Sequence, residues 1–484
     1  MLPSWGSEGS GMAEFDVESL FRSLDTDRAN VVFKWRLLDE LKQAGLVPDD
    51  PRVARAVDWT LGTGPLFERG QPVWLDFEQF RTVVREPVIW RALQGELALP
   101  PAEYANVTEA VNKAYVDLLP DESGTVAQYI PTLKNVANKN LFGAVLVTTD
   151  GQVVEVGDTR VPVSIQSAVK PLLYALALEE HREEEVDKWV GVEPSGGAFN
   201  DPEKSLDKDG KPKNAMINAG AIEAWAMLWP ELTLSERFGK IEEIWAEMSG
   251  EDKEDLRFEE ETYFAERATG EGNRDLAKLI ASKGKLYGVD PNDPDGPEEV
   301  ADGYFAACSF KPTARQLGAF YATLANDGVS PYTGNRVFSP ETVGRVLAVM
   351  RSSGFYDGSG RFGVDVGLPG KTGVGGYAVA VIKGKGAIVS CSPRLDTEGN
   401  SVRGGRFIRL LVKEMRWHPD MYSGAERSRE AAMRMGALKA ELVTTVEQAL
   451  GARPAPTARR PGGSAAAAPS TGDGWSKAPT GLQL

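Results

Sequence analysis

The sequence predicts an α+β fold, in which an antiparallel sheet encloses helices and an all-α region precedes it. Three observations predict this. "LFGAVLVTTDGQVVEVGDT", from Leu141 to Thr159, sets two β-rich runs around an Asp-Gly turn. "GGYAVAVIKGKGAIVSCSP", from Gly375 to Pro393, repeats the pattern around "KGKG". Strands from both ends of a segment with helical text between them suggest one unit around a single sheet. Third, the text from about Met12 to Val116 carries apolar residues at helical spacing, in "VESLFRSL", "VVFKWRLLDELKQAGL", "DPRVARAVDWTL" and "LDFEQFRTVV".

In chain order, residues 1–14 are expected to be disordered and 15–117 to form the helical domain. Within it, "LDTDRAN" hints at a calcium loop, with Asp25 and Asp27 at its first and third positions. The sixth position is Asn30 instead of Gly and the twelfth Arg36 instead of Glu, so a bundle shaped like a paired EF-hand is expected without calcium. Residues 118–425 are read as the catalytic domain. "SREAAMRMGALKAELVTTVEQAL" is helical text, read as a C-terminal helix over 426–451. The stretch 452–484, rich in Pro, Ala, Gly and Ser, is expected to be disordered.

Bulk properties exclude several functions. A chain of 484 residues with net charge −16 and pI near 4.9 is a poor partner for nucleic acid, which needs clustered Lys and Arg. No apolar run approaches the roughly 18 residues of a membrane span. Two cysteines, Cys308 and Cys391, fit a reducing compartment. The first 16 residues contain no Arg or Lys and match neither a secretory signal nor an Arg-rich transit peptide. A cytoplasmic location is expected, with the mitochondrial matrix as the alternative. Only two histidines are present. His181, inside "EEHREEEVDKW", reads as a solvated helix end, and His418 lies near the end of the folded part. A Ser-His-Asp triad, a zinc site, a Walker A loop and a Rossmann fingerprint are therefore not expected, nor is any cofactor or metal.

The candidate chemistry is a Ser-x-x-Lys, a pattern that occurs at Ser167/Lys170, Ser205/Lys208 and Ser282/Lys285. The second and third lie in polar loops, where both side chains are expected in water. Only Ser167 follows a hairpin and opens an apolar run, "PLLYALAL". Pro171 fits only a first helical turn, which puts Ser167 at the helix start. Residues three apart share a face, so Lys170 can reach the Ser167 oxygen. A lysine half-buried there has a lowered pKa and can act as a base without histidine. Free N–H groups at the helix start suit a developing oxyanion. Lys371-Thr372-Gly373, just before the first strand of the second hairpin, matches the Lys-Thr/Ser-Gly that β-lactamase-type enzymes pair with Ser-x-x-Lys. The reading is a serine acyl-transfer enzyme.

Longer segments carry a family resemblance. "VAQYIPTL", "VPVSIQSAVKPLLYALAL", "WVGVEPSGGAFN", "NAMINAGAI", "AERATGEGN", "DGYFAACS", "ATLANDGVSPYTGNRVFSPE", "SGFYDGSGRF", "GLPGKTGVGG" and "CSPRLDTEGNSVRG" occur in this order. Over roughly Phe15 to Ser423 the chain resembles the serine-dependent glutaminases, whose catalytic domain has a β-lactamase/DD-peptidase-like fold. With its helical N-terminal region it resembles the kidney-type enzymes of animals more than the short bacterial form. The resemblance implies hydrolysis of L-glutamine to L-glutamate and ammonia. It implies Ser167 as nucleophile, Lys170 as base, Tyr356 as proton relay, and the backbone N–H groups of Ser167 and Val374 as oxyanion hole. Tyr129, Asn218, Glu266, Asn273 and Tyr304 would hold the substrate, alongside Ser167, Tyr356 and Val374. Glu266 suits the α-ammonium; the amides of Asn218 and Asn273 and the Tyr304 hydroxyl suit the α-carboxylate. A homo-oligomer, dimer or tetramer, is also implied.

By pattern alone, Tyr304 would be a buried aromatic, Asn218 a helix cap and Glu266 solvated surface. The chain also departs from the family. Ala265 stands where Ser is usual and Gly272 where Arg is usual. The loop "AFNDPEKSLDKDGKPKN" is longer than in the animal enzyme and lacks its hydrophobic run, which sets phosphate activation and a hydrophobic allosteric pocket in question. Ankyrin repeats are absent from the tail. Two other readings compete: a penicillin-binding or β-lactamase-type acyl hydrolase, and a catalytically weak glutaminase-like scaffold.

Overall fold

A computed structural model describes residues 14–61, 74–136, 138–197 and 201–422. The C-terminal helix expected over 426–451, the tail 452–484 and residues 1–13 lie outside the described residues.

The larger part of the chain is organised by a five-stranded antiparallel sheet. The first hairpin supplies β1 (Gly143–Thr148) and β2 (Val153–Gly157). Next comes β3 (Gly370–Thr372), and the second hairpin supplies β4 (Tyr377–Ile382) and β5 (Gly386–Cys391). Their order is β2-β1-β5-β4-β3, so the hairpins join through β1 and β5, with Val145 opposite Val389. Strand β3, which carries Lys371 and Thr372, is an edge.

Side chains alternate between the faces, as strand geometry requires. Ala144, Leu146, Ala380 and Ile388 pack against the helices Pro101–Leu118 and Val402–Glu414, with Phe407 and Leu411 at the centre. Val145, Val147, Val379 and Val389 belong to the core on the other face, which includes Leu317 and Phe320 of the helix Ala314–Ala325. Both faces are covered, which explains the nearly unbroken apolar text of β1, β4 and β5. Each large side chain so enclosed contributes about 1.5–3 kcal/mol. The helix Pro101–Leu118, which the sequence places at the end of the helical domain, lies on the sheet: Tyr115 stacks on Phe142 at 4.7 Å.

The N-terminal helices close a core of their own around Phe21, Leu37, Leu41, Val57 and Phe80. Val32 and Phe33 fall in text expected to be helical. They instead pair as a two-residue strand with Trp74 and Leu75, and the helix begins at Lys34. The Asp25 carboxylate accepts the backbone N–H groups of Ala29 and Asn30 at 3.0 and 2.8 Å. Arg52, buried against Asp50 at 2.6 Å, donates to the carbonyls of Asp150 and Pro331, tying this region to the sheet and to a distant loop.

Candidate active site

Ser167 sits in a short 3₁₀ turn, Gln166–Val169, that runs into the helix Lys170–Glu180. Pro171 occupies its first turn, as expected. The helix is buried from Lys170 to Leu178, so it runs through the centre of the domain and carries Lys170 with it, fully buried. Burial pulls the Lys170 pKa down to about 7. Its Nζ donates to Asn218 Oδ1 at 2.7 Å, and Asn218 Nδ2 donates to Asn273 Oδ1 at 2.8 Å. Asn218 is the first residue of the helix Asn218–Ala226 and makes no cap, because its amide is used between Lys170 and Asn273. Gly220 lets that helix start close to Asn214: a methyl group there would lie 1.9 Å from the Asn214 carbonyl oxygen.

Tyr356, on a short turn before the edge strand, holds a positive φ of 54° and is hydrogen-bonded to Ser167. Burial raises its pKa. Lys371, fully buried on β3, donates to the Tyr356 hydroxyl at 3.2 Å and to the carbonyls of Gly354 and Thr372 at 3.3 and 2.6 Å. Burial, and then the nearby Lys170, hold its pKa well below the ordinary lysine value. Beyond Thr372 the strand passes the serine closely. A methyl group on Gly373 would lie 2.9 Å from the Ile165 carbonyl oxygen, 3.0 Å from the Ala168 nitrogen and 3.4 Å from the Ser167 nitrogen. Gly373 therefore permits an approach that puts Val374 beside Ser167. Among the described residues the Val374 N–H donates to no backbone acceptor.

These residues face a cavity of about 420 Å³, lined by Tyr129, Ser167, Asn218, Glu266, Asn273, Tyr304 and Val374. Every expected substrate residue except Tyr356 lines it; Tyr356 lies behind Ser167 and borders an adjoining cleft with Val374. Glu266, which pattern reading would put on the surface, is buried and accepts from the Tyr129 hydroxyl at 2.9 Å and from Gln166 Nε2 at 3.1 Å. Burial raises its pKa, against the two hydrogen bonds. Tyr129 is about half exposed as a residue, but its hydroxyl end is the enclosed part and reaches this carboxylate; desolvation there and then the Glu266 charge raise its pKa. Tyr304 is buried as the pattern suggests, but it also lines the cavity. Beside it Cys308 has its thiol pushed up to about 12 by burial, so the thiol is not a competing nucleophile.

Sequence reasoning missed Gln166. Its φ of 47° turns the side chain toward Ser164 and Glu266, and its only signal in the text is its place next to Ser167. Two expectations need correcting. His181 is not solvated: it is half-buried, its Nε2 lies 2.8 Å from the Met227 carbonyl, and its ring tilts against Tyr287. Ser205 is buried, its hydroxyl donating to the Asp201 carbonyl one turn back, while Lys208 is exposed. Neither histidine lines the cavity. A larger cleft of about 800 Å³ runs past Arg361, Asp365 and Arg409; among the described residues no Cys, Lys or His lines it. Among the described residues no group of His, Cys, Asp and Glu could hold a metal, and no helix is long and apolar enough to cross a membrane.

Known proteins similar to this chain form a consistent set. The glutaminase family profile matches residues 124–419. "Glutaminase 2" of Bradyrhizobium diazoefficiens is 44% identical over 298 residues, 62% of this chain and 46% of that protein. The mitochondrial liver isoform of glutaminase from Mus musculus is 34% identical over 382 residues, 78% of this chain and 61% of that protein. The chain thus spans about half the length of the bacterial relative. A solved structure of a probable glutaminase, ybaS, superposes with a TM-score of 0.61 at 34% identity, covering 66% of this chain and 99% of that one.

Proposed function

The chain belongs to the glutaminase family, and on that premise we propose that it hydrolyses L-glutamine to L-glutamate and ammonia through an acyl-enzyme on Ser167. The observation that carries this reading is Lys170: a fully buried amine, one helical turn from Ser167, with its pKa brought to about 7. Such an amine is uncharged often enough near neutrality to take a proton, a task that otherwise falls to histidine.

In this reading the α-ammonium of glutamine sits against Glu266, with Tyr129 and Gln166 holding the carboxylate in place. The α-carboxylate faces Asn273 and Tyr304, and the side-chain carbonyl oxygen points at the N–H groups of Ser167 and Val374. Ser167 Oγ attacks the amide carbon while its proton passes to Lys170. The C–N bond breaks, and the nitrogen leaves as ammonia after regaining that proton, with Tyr356 as relay. Water then attacks the ester, a proton returns to Ser167, and glutamate departs. No step calls for a cofactor. The EF-hand-like character of the N-terminal helices, a homo-oligomer and a cytoplasmic location belong to the same reading; the two buried, unpaired cysteines are in keeping with the last.

The test is ammonia release from L-glutamine, with L-asparagine in parallel, by the full chain and by Ser167→Ala. Release from glutamine that Ser167→Ala abolishes is the expected result. Absence of release at millimolar glutamine overturns the proposal.

A further inference from the structure

The amide of Asn218 is oriented by its two neighbours. Lys170 Nζ donates to its Oδ1 at 2.7 Å, the arrangement that also serves the protonated amine, which has no acceptor to offer an amide N–H. Nδ2 then points the other way, to Asn273, which must present its own oxygen. Asn273 itself lines the cavity, and with its oxygen committed to Asn218 its Nδ2 is the group of that amide left to donate. Three side chains from three helices thus form one line of donors and acceptors, running from the amine beside Ser167 to the cavity wall. Asn218 itself is 7% exposed, enclosed between its two partners.

We propose that Asn218 is a positioning residue that couples recognition of the substrate's α-carboxylate to the orientation of the base, Lys170. This rests on the acyl-enzyme reading above. An uncharged amine has two N–H bonds and one lone pair. Directing one N–H at Asn218 Oδ1 restricts where the lone pair points, and so how well it meets the Ser167 hydroxyl. When a carboxylate accepts from Asn273 Nδ2, it polarises the Asn273 amide, which strengthens its oxygen as acceptor for Asn218 and fixes the next link in turn. A glutamine bound by its carboxylate therefore tightens the base that will act on it. A primary amide without that carboxylate leaves the line slack.

The neutrality of residue 218 is part of the device. Lys371, Tyr356 and Cys308 face Lys170 from β3, from the turn before it and from the helix Gly296–Cys308. None of them is an anion at neutral pH, given the raised pKa values of Tyr356 and Cys308. A carboxylate at position 218 would set a negative charge directly against the Lys170 amine and would hold Lys170 protonated.

The experiment is the pH dependence of kcat/KM for L-glutamine in the wild type, Asn218→Asp and Asn273→Ala, with melting curves for each. In Asn218→Asp the acid limb should move up by about 1–3 pH units, with at least tenfold less activity at pH 7 and most of it regained at high pH. An unmoved limb with a raised KM would mean that Asn218 only binds substrate, and would overturn the proposal. Asn273→Ala should lower kcat at least tenfold as well as raise KM; a KM effect alone overturns it too, and this variant decides if Asn218→Asp does not fold. A wild type that releases no ammonia would instead remove the acyl-enzyme reading on which the proposal stands.

Discussion

Gly373→Ala is the sharpest probe of the edge strand beside Ser167. The added methyl would stand 2.9 Å from the Ile165 carbonyl oxygen and 3.0 Å from the Ala168 nitrogen. Comfortable contact for carbon begins near about 3.5 Å. Both obstacles are backbone, so no side chain can swing aside, and the strand end must retreat by roughly 0.5 Å. That retreat carries the Val374 N–H away from the position the oxyanion would take, from a good hydrogen bond near about 2.9 Å to a poor one near about 3.4 Å. Loss of one such donor lowers kcat by about 10²–10³. The overpacking itself costs about 1–3 kcal/mol of stability, which leaves the protein folded. Initial rates of ammonia release against L-glutamine concentration, with a thermal melt, read both effects. The expected result is a kcat lowered at least 100-fold, KM within about threefold of wild type and a modest fall in Tm. Val374→Ala keeps the N–H and should retain most of kcat. A Gly373→Ala enzyme with wild-type kcat would refute the assignment of Val374 to the oxyanion hole.

The proposed mechanism has Lys170 act uncharged, and its pKa is brought to about 7, so wild-type kcat/KM should rise with pH through about 7 and fall roughly tenfold per unit below pH 6; a profile flat from pH 5 to 8 would exclude Lys170 as the base. Glu223 is fully buried with one carboxylate oxygen unpartnered, and burial raises its pKa well above the usual value. A raised folded-state pKa means that stability is lost as pH rises above the unfolded value, so Glu223→Gln should raise Tm at pH 8 and lose that advantage near pH 4, as scanning calorimetry would show. Arg52→Ala strands Asp50 in the interior and removes two bonds to distant carbonyls; a loss of about 3–5 kcal/mol is expected by denaturant unfolding, with little recovery in Arg52→Lys, which lacks the fork.

What the sequence disclosed followed from how local each signal is. The hairpins were legible because two β-rich runs and the Gly turn between them are written within about twenty residues. Pro171 marked the start of its helix because proline is tolerated only there. By contrast, Glu266 lies in a run of acids indistinguishable from a solvated helix face; its burial depends on Tyr129 and Gln166, residues distant in sequence. Gln166 depends on a left-handed backbone that no spacing announces. His181 was misread for a related reason. Its neighbours in sequence are charged, whereas its neighbours in space are Met227 and Tyr287. The strand at Val32 lost its helical reading to a partner at Leu75, forty residues on.

The proposed mechanism, acyl transfer with an amine as base, places two opposed demands on one cavity. Lys170 must be buried and kept from anions, or it stays protonated and cannot accept the serine's proton. The substrate's ammonium needs an anion, or it pays for its own desolvation with nothing in return. The structure separates the two with neutral polar groups. Asn218, rather than an acid, meets Lys170, while Tyr129 and Gln166 donate to Glu266 on their side of the cavity. The second lysine, Lys371, donates to two carbonyls and a phenol, all neutral groups. An acid introduced on the Lys170 side, or an amide in place of Glu266, should therefore fail in different ways. The first silences the base at neutral pH and is relieved by alkali. The second, Glu266→Gln, weakens glutamine binding at every pH, with KM raised far more than kcat is lowered. If both variants gave the same pH-independent loss, the two charges would not be serving separate ends of the substrate.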